Sequence, residues 1–242
     1  MSEEKSAPAH NEDMETIRLA RKRMAQVVFV LAAQAGTLFL ASGRWRWPAA
    51  WAYIGVYLGS MALNRFVFLR KSLALIAERG QIKAGTKDWD RVLAAIVSLF
   101  GPLATLLAAG LDERRRRASS VPLPARLAGL AAMVLGFTLV GWAMASNRFF
   151  AGVVRIQTER GHVVTTSGPY HYVRHPGYVG LGAHLLGTPL LLGSKRAFLP
   201  AALTVALLVL RTALEDRTLL KELPGYEEYA RQVRYRLLPG VW

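Results

Sequence analysis

The sequence of 242 residues contains no cysteine, and it has about half as many acidic as basic residues. The absence of cysteine excludes disulfides and thiolate metal ligands. The 16 Asp and Glu against 31 Lys and Arg give a formal net charge of +15, which by itself would suit a nucleic-acid partner. The basic residues, however, flank uncharged apolar blocks, as they do in membrane proteins. We therefore predict contact with membrane lipids and no nucleic-acid partner.

Charge is also scarce within six apolar stretches, in a chain that is 52% hydrophobic overall. We expect the first four stretches to be the ones that cross a bilayer core comfortably, which takes roughly 20 residues. The last two are separated only by Lys195 and Arg196 and predict a tight helical hairpin. The predicted fold class is an all-α integral membrane protein with five to six transmembrane helices. The stretches are residues 25–42, 47–63, 92–111, 127–146, 177–194 and 197–210.

The sequence divides into three regions. Residues 1–23 are a polar tail, disordered up to residue 13, followed by an interfacial helix. Residues 24–146 hold four transmembrane helices, and residues 147–242 hold the motifs described below. With six spans, both chain ends lie on the same side of the membrane, and most Lys and Arg fall in the segments on that side. This distribution predicts that the termini are cytoplasmic. The basic run 114–117 is the exception, because it falls on the outer side.

Several residues within the apolar stretches predict how the helices pack. Pro102 predicts a kink in the third stretch. Small residues allow close helix contact, so Gly129, Gly136 and Gly141 predict such a contact for the fourth. His184 lies in the fifth stretch, where an interhelical hydrogen bond is the expected role of a polar side chain.

One polar segment, GPYHYVRHPGYVGLG at residues 168–182, precedes the hairpin. Its Gly-Pro and His-Pro pairs interrupt helices, because proline lacks an N–H and favours extended backbone before it. Irregular backbone near membrane depth is tolerated only where protein buries it or where it lines a cavity. The segment is therefore either a helix-entry loop with interfacial tyrosines or part of a binding site.

A second polar cluster follows the hairpin. Glu215 and Asp216 come where the last apolar arm ends, and the tail beyond them is rich in tyrosine and arginine. Taken alone, the carboxylates fit interfacial solvation and the tail fits a basic helix on the membrane surface. The histidines lack metal-ligand spacing such as HExxH, so no metal site is predicted.

Together the two clusters have a specific order: GPYxxxRHPxYxG, an apolar hairpin, E[ED]xxL, GYxxY and RxxP. This order resembles the isoprenylcysteine carboxyl methyltransferase family and the related phospholipid methyltransferases, over about residues 147–242. The resemblance implies an S-adenosylmethionine-dependent methyltransferase with a C-terminal cofactor-binding region on the cytoplasmic side. The implied acceptor is lipophilic or lipidated, either an isoprenylcysteine-type carboxylate or another lipid.

The resemblance also implies the site residues. Asp216 stands where a second glutamate is usual, and the common FGxxY is replaced by LPGYxxY at residues 223–229. The residues expected to act in catalysis are Glu215, His175, Arg174 and Arg236. Those expected to bind the cofactor are His162, Gly168, Pro169, Tyr170, Arg174, His175, Pro176, Tyr178, Gly180, Gly182, Glu215 and Asp216.

The chemistry of S-adenosylmethionine suits these residue types. Its ammonium needs a carboxylate, such as Glu215, and its carboxylate needs a cation, such as Arg174 or His175. Its adenine needs an apolar wall, which the region of Tyr178 offers. A carboxylate acceptor needs no general base, whereas an amine needs one, which Glu215, His175 or His162 would supply. Arg236 or Arg231 would orient an acidic acceptor.

Two other functions fit the sequence. One is an NADPH-dependent membrane reductase of a sterol-like lipid, because such reductases share a comparable C-terminal layout. The other is a small transporter or scaffold without catalysis. In each case we expect a multi-pass protein, of the inner membrane if bacterial, and the oligomeric state stays open.

Overall fold

A computed structural model describes residues 7–63, 85–115 and 121–242, without the side chains of residues 7–13, 15, 16 and 20. These ranges fold into helices joined by irregular segments, and within them there is no β-strand. The predicted all-α class is therefore confirmed. The helices are α1 (Ala7–Ser42), α2 (Pro48–Leu63), α3 (Asp88–Arg114), α4 (Leu123–Ser146), α5 (Pro176–Leu192), α6 (Phe198–Glu222) and α7 (Tyr226–Gln232).

Four of these helices are long and apolar enough to cross a membrane: α1 from Ile17 onward, α3, α4 and α6. The other two apolar helices, α2 and α5, have 16 and 17 residues. At 17 residues, α5 is shorter than the roughly 20 that cross a bilayer core upright, whereas α2 reaches the edge of the described residues at Leu63. The chain is of the multi-pass membrane type, and the count of five to six spans stays a prediction.

Two helices extend beyond their predicted limits. Helix α1 begins at Ala7, inside the tail expected to be disordered, and continues without a break to Ser42. Helix α6 continues past Glu215, where the last apolar arm was expected to end, to Glu222, because its charged residues have partners and are good helix formers. Most of the polar segment 64–91, and Arg116 and Arg117 of the basic run, lie outside the described residues.

Helices α4 and α5 pack with their backbones in contact. A Cβ atom added to Gly136 would lie 2.5 Å from the carbonyl oxygen of Gly180, and one added to Gly129 would lie 2.7 Å from that of Gly187. No real side chain tolerates these distances without a shift of the backbone. The close contact predicted from Gly129 and Gly136 is confirmed, and Gly141 is buried.

The irregularity predicted from Pro102 takes the form of a π-helical turn at Ile96–Phe100. The N–H of Gly101 donates to the carbonyl of Ile96, five residues earlier. The ring of a proline conflicts with the carbonyl four residues before it, and a wider turn relieves that conflict. Gly101 then packs directly against Thr204 of α6.

The predicted hairpin joins α5 to α6. Helix α5 ends at Gly193, whose φ of 74° is the left-handed conformation that favours glycine. The hydroxyl of Ser194 donates to Asp112 of α3 over 2.7 Å and accepts the N–H of Ala197. The turn is thus fixed to α3, and the start of α5 comes to lie beside the last turns of α6.

His184 forms the interhelical contact predicted for it. Its Nε2 lies 3.3 Å from the hydroxyl of Tyr57 in α2. Gln34 of α1 is hydrogen-bonded to the same hydroxyl, so the polar side chains of three helices meet inside the apolar layer.

Candidate functional site

A cavity of about 100 Å³ lies where α5 begins and α6 approaches its end. The segment between α4 and α5 forms one wall, and α7 with the turn before it forms another. His175-Pro176 opens α5, because the fixed φ of proline suits the first position of a helix. Aromatic and ionisable side chains share the lining, which includes Phe149, Phe150, Arg155, His162, Tyr170, Arg174, His175, Tyr178, Glu215, Tyr226 and Tyr229.

The carboxylate of Asp216 lies at the centre of a hydrogen-bonded cluster beside this cavity and is completely buried. Arg236 donates from Nε to Oδ2 over 2.7 Å, and Arg174 donates from Nη2 to the same oxygen over 3.1 Å. Nε of Arg174 also lies 3.0 Å from Oδ1, but its N–H is not aligned for a hydrogen bond. His175 Nε2 lies 3.2 Å from Oδ1, and the hydroxyl of Tyr226 donates to Oδ1 over 2.9 Å. The carboxylate therefore has enough donors to remain ionised without water.

Arg174 also fixes the tail of the chain to the start of α5. Its backbone N–H donates to the carbonyl of Tyr235 over 2.9 Å, and that of His175 donates to Arg236 over 3.0 Å. Its guanidinium donates to the carbonyl of Ala230. The RHP segment, which precedes α5, and the RxxP segment near the end of the chain are thus in direct contact.

Glu215 has surroundings unlike those of its neighbour Asp216. It is partly exposed, lines the cavity and accepts a short hydrogen bond from the hydroxyl of Tyr178. The Tyr178 ring is stacked on His175, with 5.8 Å between centroids and 10° between ring planes. The two carboxylates are therefore adjacent in sequence, but that of Asp216 lies inside the protein and that of Glu215 faces the cavity.

Two tyrosines of α7 close the cavity from the side of the tail. Burial and the adjacent charge of Asp216 hold the pKa of Tyr226 well above its usual value of 10. Burial likewise raises the pKa of Tyr229, whose hydroxyl donates to the carbonyl of Tyr170 over 2.7 Å. Both side chains therefore act as hydrogen-bond donors at any physiological pH.

His162 lies on the opposite wall. Its Nδ1 accepts the N–H of Gln157 over 3.3 Å, and its ring packs on Phe149 with 4.5 Å between centroids. Burial and the neighbouring Arg155 and Arg160 lower its pKa to about 4. The imidazole is therefore neutral at pH 7, and because Nδ1 accepts from Gln157, Nε2 carries the proton and can donate a hydrogen bond.

Other residues predicted from the motifs lie near the cavity without lining it. Gly168 has a φ of 61° and packs against Ser146 of α4. Gly180 packs against α4, while Gly182 has only Leu208 of α6 nearby. Pro169 and Pro176 are buried, and they shape the turns that position Tyr170 and Tyr178.

Sequence reasoning missed the role of Tyr226, which was grouped with a surface helix. Its hydroxyl reaches both Asp216 and His175. Phe149 and Phe150 were also missed, although they line the cavity. The available signal for Tyr226 was its place after Pro224-Gly225, a turn that ends α6 and returns the chain toward the site.

The helices and the site define a multi-pass membrane protein with a polar cavity at one end of its last helical hairpin. Residues 128–221 match the model of the isoprenylcysteine carboxyl methyltransferase family. This segment contains most of α4, the RHPxY motif, the hairpin and both carboxylates. This part of the chain is therefore similar to that family.

Curated relatives match a similar length of the chain. One is the protein-S-isoprenylcysteine O-methyltransferase of Schizosaccharomyces pombe, 31% identical over 107 residues, which are 41% of this chain and 45% of the relative. Another is a probable protein-S-isoprenylcysteine O-methyltransferase of Oryza sativa subsp. indica, 30% identical over 108 residues, which are 43% of this chain and 56% of the relative. The chain thus matches about half the length of these relatives.

Proposed function

We propose that the protein is an integral-membrane methyltransferase that uses S-adenosylmethionine and acts on a lipophilic acceptor. The observation that carries this proposal is the position of Glu215 and the Asp216 cluster. They form one site, at the mouth of the hairpin, within the segment that matches the family. An arrangement built only to end a helix would not need a buried carboxylate with four side-chain partners beside a second carboxylate facing a cavity.

The lining of the cavity suits the cofactor. S-adenosylmethionine carries an ammonium, a carboxylate, an adenosine and a methyl group on a sulfonium sulfur, which is the group that it supplies. Glu215 is the anion available to the ammonium. The ring of Tyr178 and the side chains of Phe149 and Phe150 offer apolar surface to adenine. Arg174 offers the positive charge that a carboxylate needs.

Within this proposal Asp216 is a positioning residue. It fixes Arg174, His175 and Arg236 relative to one another, and methyl transfer depends mostly on such alignment. Tyr226 donates to the same carboxylate and so helps to fix its position. If the acceptor is an amine, Glu215 or His175 would take its proton, because the only acceptor nitrogen of His162 already accepts the N–H of Gln157.

The names of the relatives support an isoprenylcysteine carboxylate as the acceptor. The distribution of Lys and Arg supports an active site that faces the cytoplasm. The acceptor would reach this site from the membrane, because the hairpin helices that lead to it are apolar.

Calorimetric titration of the detergent-purified protein with S-adenosylhomocysteine, beside NADPH, tests the proposal. Saturable binding of S-adenosylhomocysteine and no binding of NADPH are expected. Binding of NADPH alone would favour a reductase. Methylation assays with a farnesylcysteine derivative and with a phospholipid amine would then identify the acceptor. We expect methylation of the farnesylcysteine derivative and not of the phospholipid amine.

A further inference from the structure

A buried ion pair, which the sequence motifs do not include, lies behind the cavity. Asp90 in the first turn of α3 is completely buried, and Arg211 in α6 is 3% exposed. Arg211 donates from Nε to Oδ1 over 2.6 Å and from Nη2 to Oδ2 over 3.1 Å. A charged residue inside an apolar helix is costly, so a pair with this geometry needs a reason beyond stability.

The same two side chains hold the wall of the cavity. Arg211 donates from Nη2 to the carbonyl of Gly152 over 2.9 Å, and Asp90 accepts the N–H of Val154 over 2.6 Å. The N–H of Lys87 donates to the carbonyl of Val154 over 3.1 Å. Residues 152–154 form no helix of their own, so these bonds fix their position. Val153 and Val154 line the cavity.

Arg211 also contacts the opposite side of the site. It precedes Glu215 by one helical turn, and its guanidinium carbon lies 5.2 Å from the centre of the Tyr178 ring. Tyr178 in turn donates to Glu215. One guanidinium therefore touches both the wall at residues 152–154 and the tyrosine that orients the carboxylate.

We propose that Asp90 and Arg211 are positioning residues that set the distance between the wall at residues 152–154 and the Tyr178–Glu215 pair. Only the expected effect of this role on cofactor binding rests on the proposed function. Placement of the wall itself is independent of any reaction. The pair also makes the start of α3, far from the family motifs in sequence, a part of the site.

The first test variant is Arg211→Lys. It keeps a cation for Asp90, but a single ammonium cannot reproduce the forked contacts to Asp90 and Gly152 together. We expect hydrogen exchange at the amides of residues 152–154 to accelerate about tenfold in the ligand-free protein. We also expect the Kd for S-adenosylhomocysteine to rise about tenfold, because Val153 and Val154 line the cavity and would no longer be held in place.

The matched control is Asp112→Asn. Asp112 is a buried carboxylate of the same helix, bonded to Ser194 and 3.6 Å from Arg196. It lies at the far end of α3, roughly 33 Å away at 1.5 Å per residue. This variant should lower stability without changing either the exchange at residues 152–154 or the Kd.

If Arg211→Lys does not fold, the double variant Asp90→Asn with Arg211→Gln removes both charges together and leaves neither uncompensated. In this double variant we expect the same faster hydrogen exchange at residues 152–154 and the same rise in Kd. Wild-type exchange and wild-type Kd in a folded variant would overturn the proposal, as would equal effects in Asp112→Asn. If the wild-type protein fails to bind S-adenosylhomocysteine, the proposed function falls, while hydrogen exchange still decides whether the pair fixes the wall.

Discussion

At the scale of single residues, the neighbouring carboxylates of α6 have separate tasks. Asp216 is buried and has contacts with Arg174, His175, Tyr226 and Arg236. Glu215 accepts one hydrogen bond from Tyr178 and otherwise faces the cavity. Glu215 is thus the carboxylate that a cationic ligand can reach, whereas Asp216 orders the groups around it.

This difference predicts the effect of Glu215→Gln. The amide oxygen can still accept the hydrogen bond from Tyr178, so the fold should be retained. The loss of the charge should raise the Kd for S-adenosylhomocysteine at least about tenfold, or about 1.4 kcal/mol, since charge-assisted hydrogen bonds are the stronger ones. Titration calorimetry of the purified protein measures this Kd.

Glu222→Gln is the control for that variant. Glu222 lies on the same helix and is paired with Lys87 at the surface, with 2.7 Å between Nζ and Oε1. Exposed pairs contribute little, so its Kd should equal that of the wild type. Equal Kd values for both variants and the wild type would remove Glu215 from the site.

His162 gives a prediction about pH. Its pKa is about 4 in the folded protein, against 6.5 in the unfolded chain. Because the unfolded chain binds the proton first, the stability that the neutral imidazole contributes is complete above pH 6.5 and is lost as the pH falls toward 4. The melting temperature of the wild type should therefore fall more between pH 7 and pH 4.5 than that of His162→Gln.

The exposed His171 provides the comparison. His171→Gln should show the same decrease in melting temperature with pH as the wild type. A decrease that is unchanged in His162→Gln would mean that this imidazole is not held neutral by burial and by its arginine neighbours.

The predictable part of the site is the part that is local in sequence. Arg174, His175, Tyr178 and Glu215 came from spaced motifs, and the structure brings them to one cavity. Their roles remain predictions. Asp90 was not predicted, because its partner Arg211 is 121 residues away and no spacing rule connects them.

At the scale of helices, apolar length and small residues predicted most of the arrangement. The hairpin and the α4–α5 contact followed from the sequence, because both depend on local composition. The end of α6 did not follow, since charged residues ordinarily mark the end of a span. Here Arg211 and Asp216 have buried partners in Asp90 and Arg174, and the helix continues through them.

The α4–α5 contact predicts that alanine substitutions at two nearby glycines of α5 affect stability differently. In Gly180→Ala the new Cβ meets the backbone of Gly136, so we expect a loss of about 1–3 kcal/mol of stability. In Gly182→Ala the new Cβ lies 3.9 Å from Leu208, an ordinary contact, and stability should be unchanged or slightly higher. Thermal unfolding in detergent measures both changes.

Gly182→Ala also tests whether Gly182 takes part in cofactor binding. The family motif implies cofactor binding for Gly182, whereas this residue does not line the cavity. A Kd for S-adenosylhomocysteine equal to that of the wild type would make the glycine a packing residue. A raised Kd in a protein of normal stability would return it to the site.

At the scale of the whole molecule, two polar ends face away from each other. One contains the hairpin turn, fixed by Asp112 and Ser194. The other contains the cavity, α7 and the tail. Because α5 and α6 run from the cavity to the turn and back, these ends must lie toward opposite faces of the membrane if the hairpin crosses it.

The absence of cysteine makes this arrangement directly measurable, because a single introduced cysteine is the only thiol in the chain. Lys195→Cys at the hairpin turn and Arg234→Cys in the tail both replace exposed basic residues outside the helices. The excess of Lys and Arg on the side of the chain ends predicts that an impermeant maleimide labels position 195 in intact cells. Position 234 should react only after permeabilisation. Labelling of both positions in intact cells would mean that α5 and α6 turn back within the bilayer, and labelling of position 234 alone would invert the orientation and place the cavity outside.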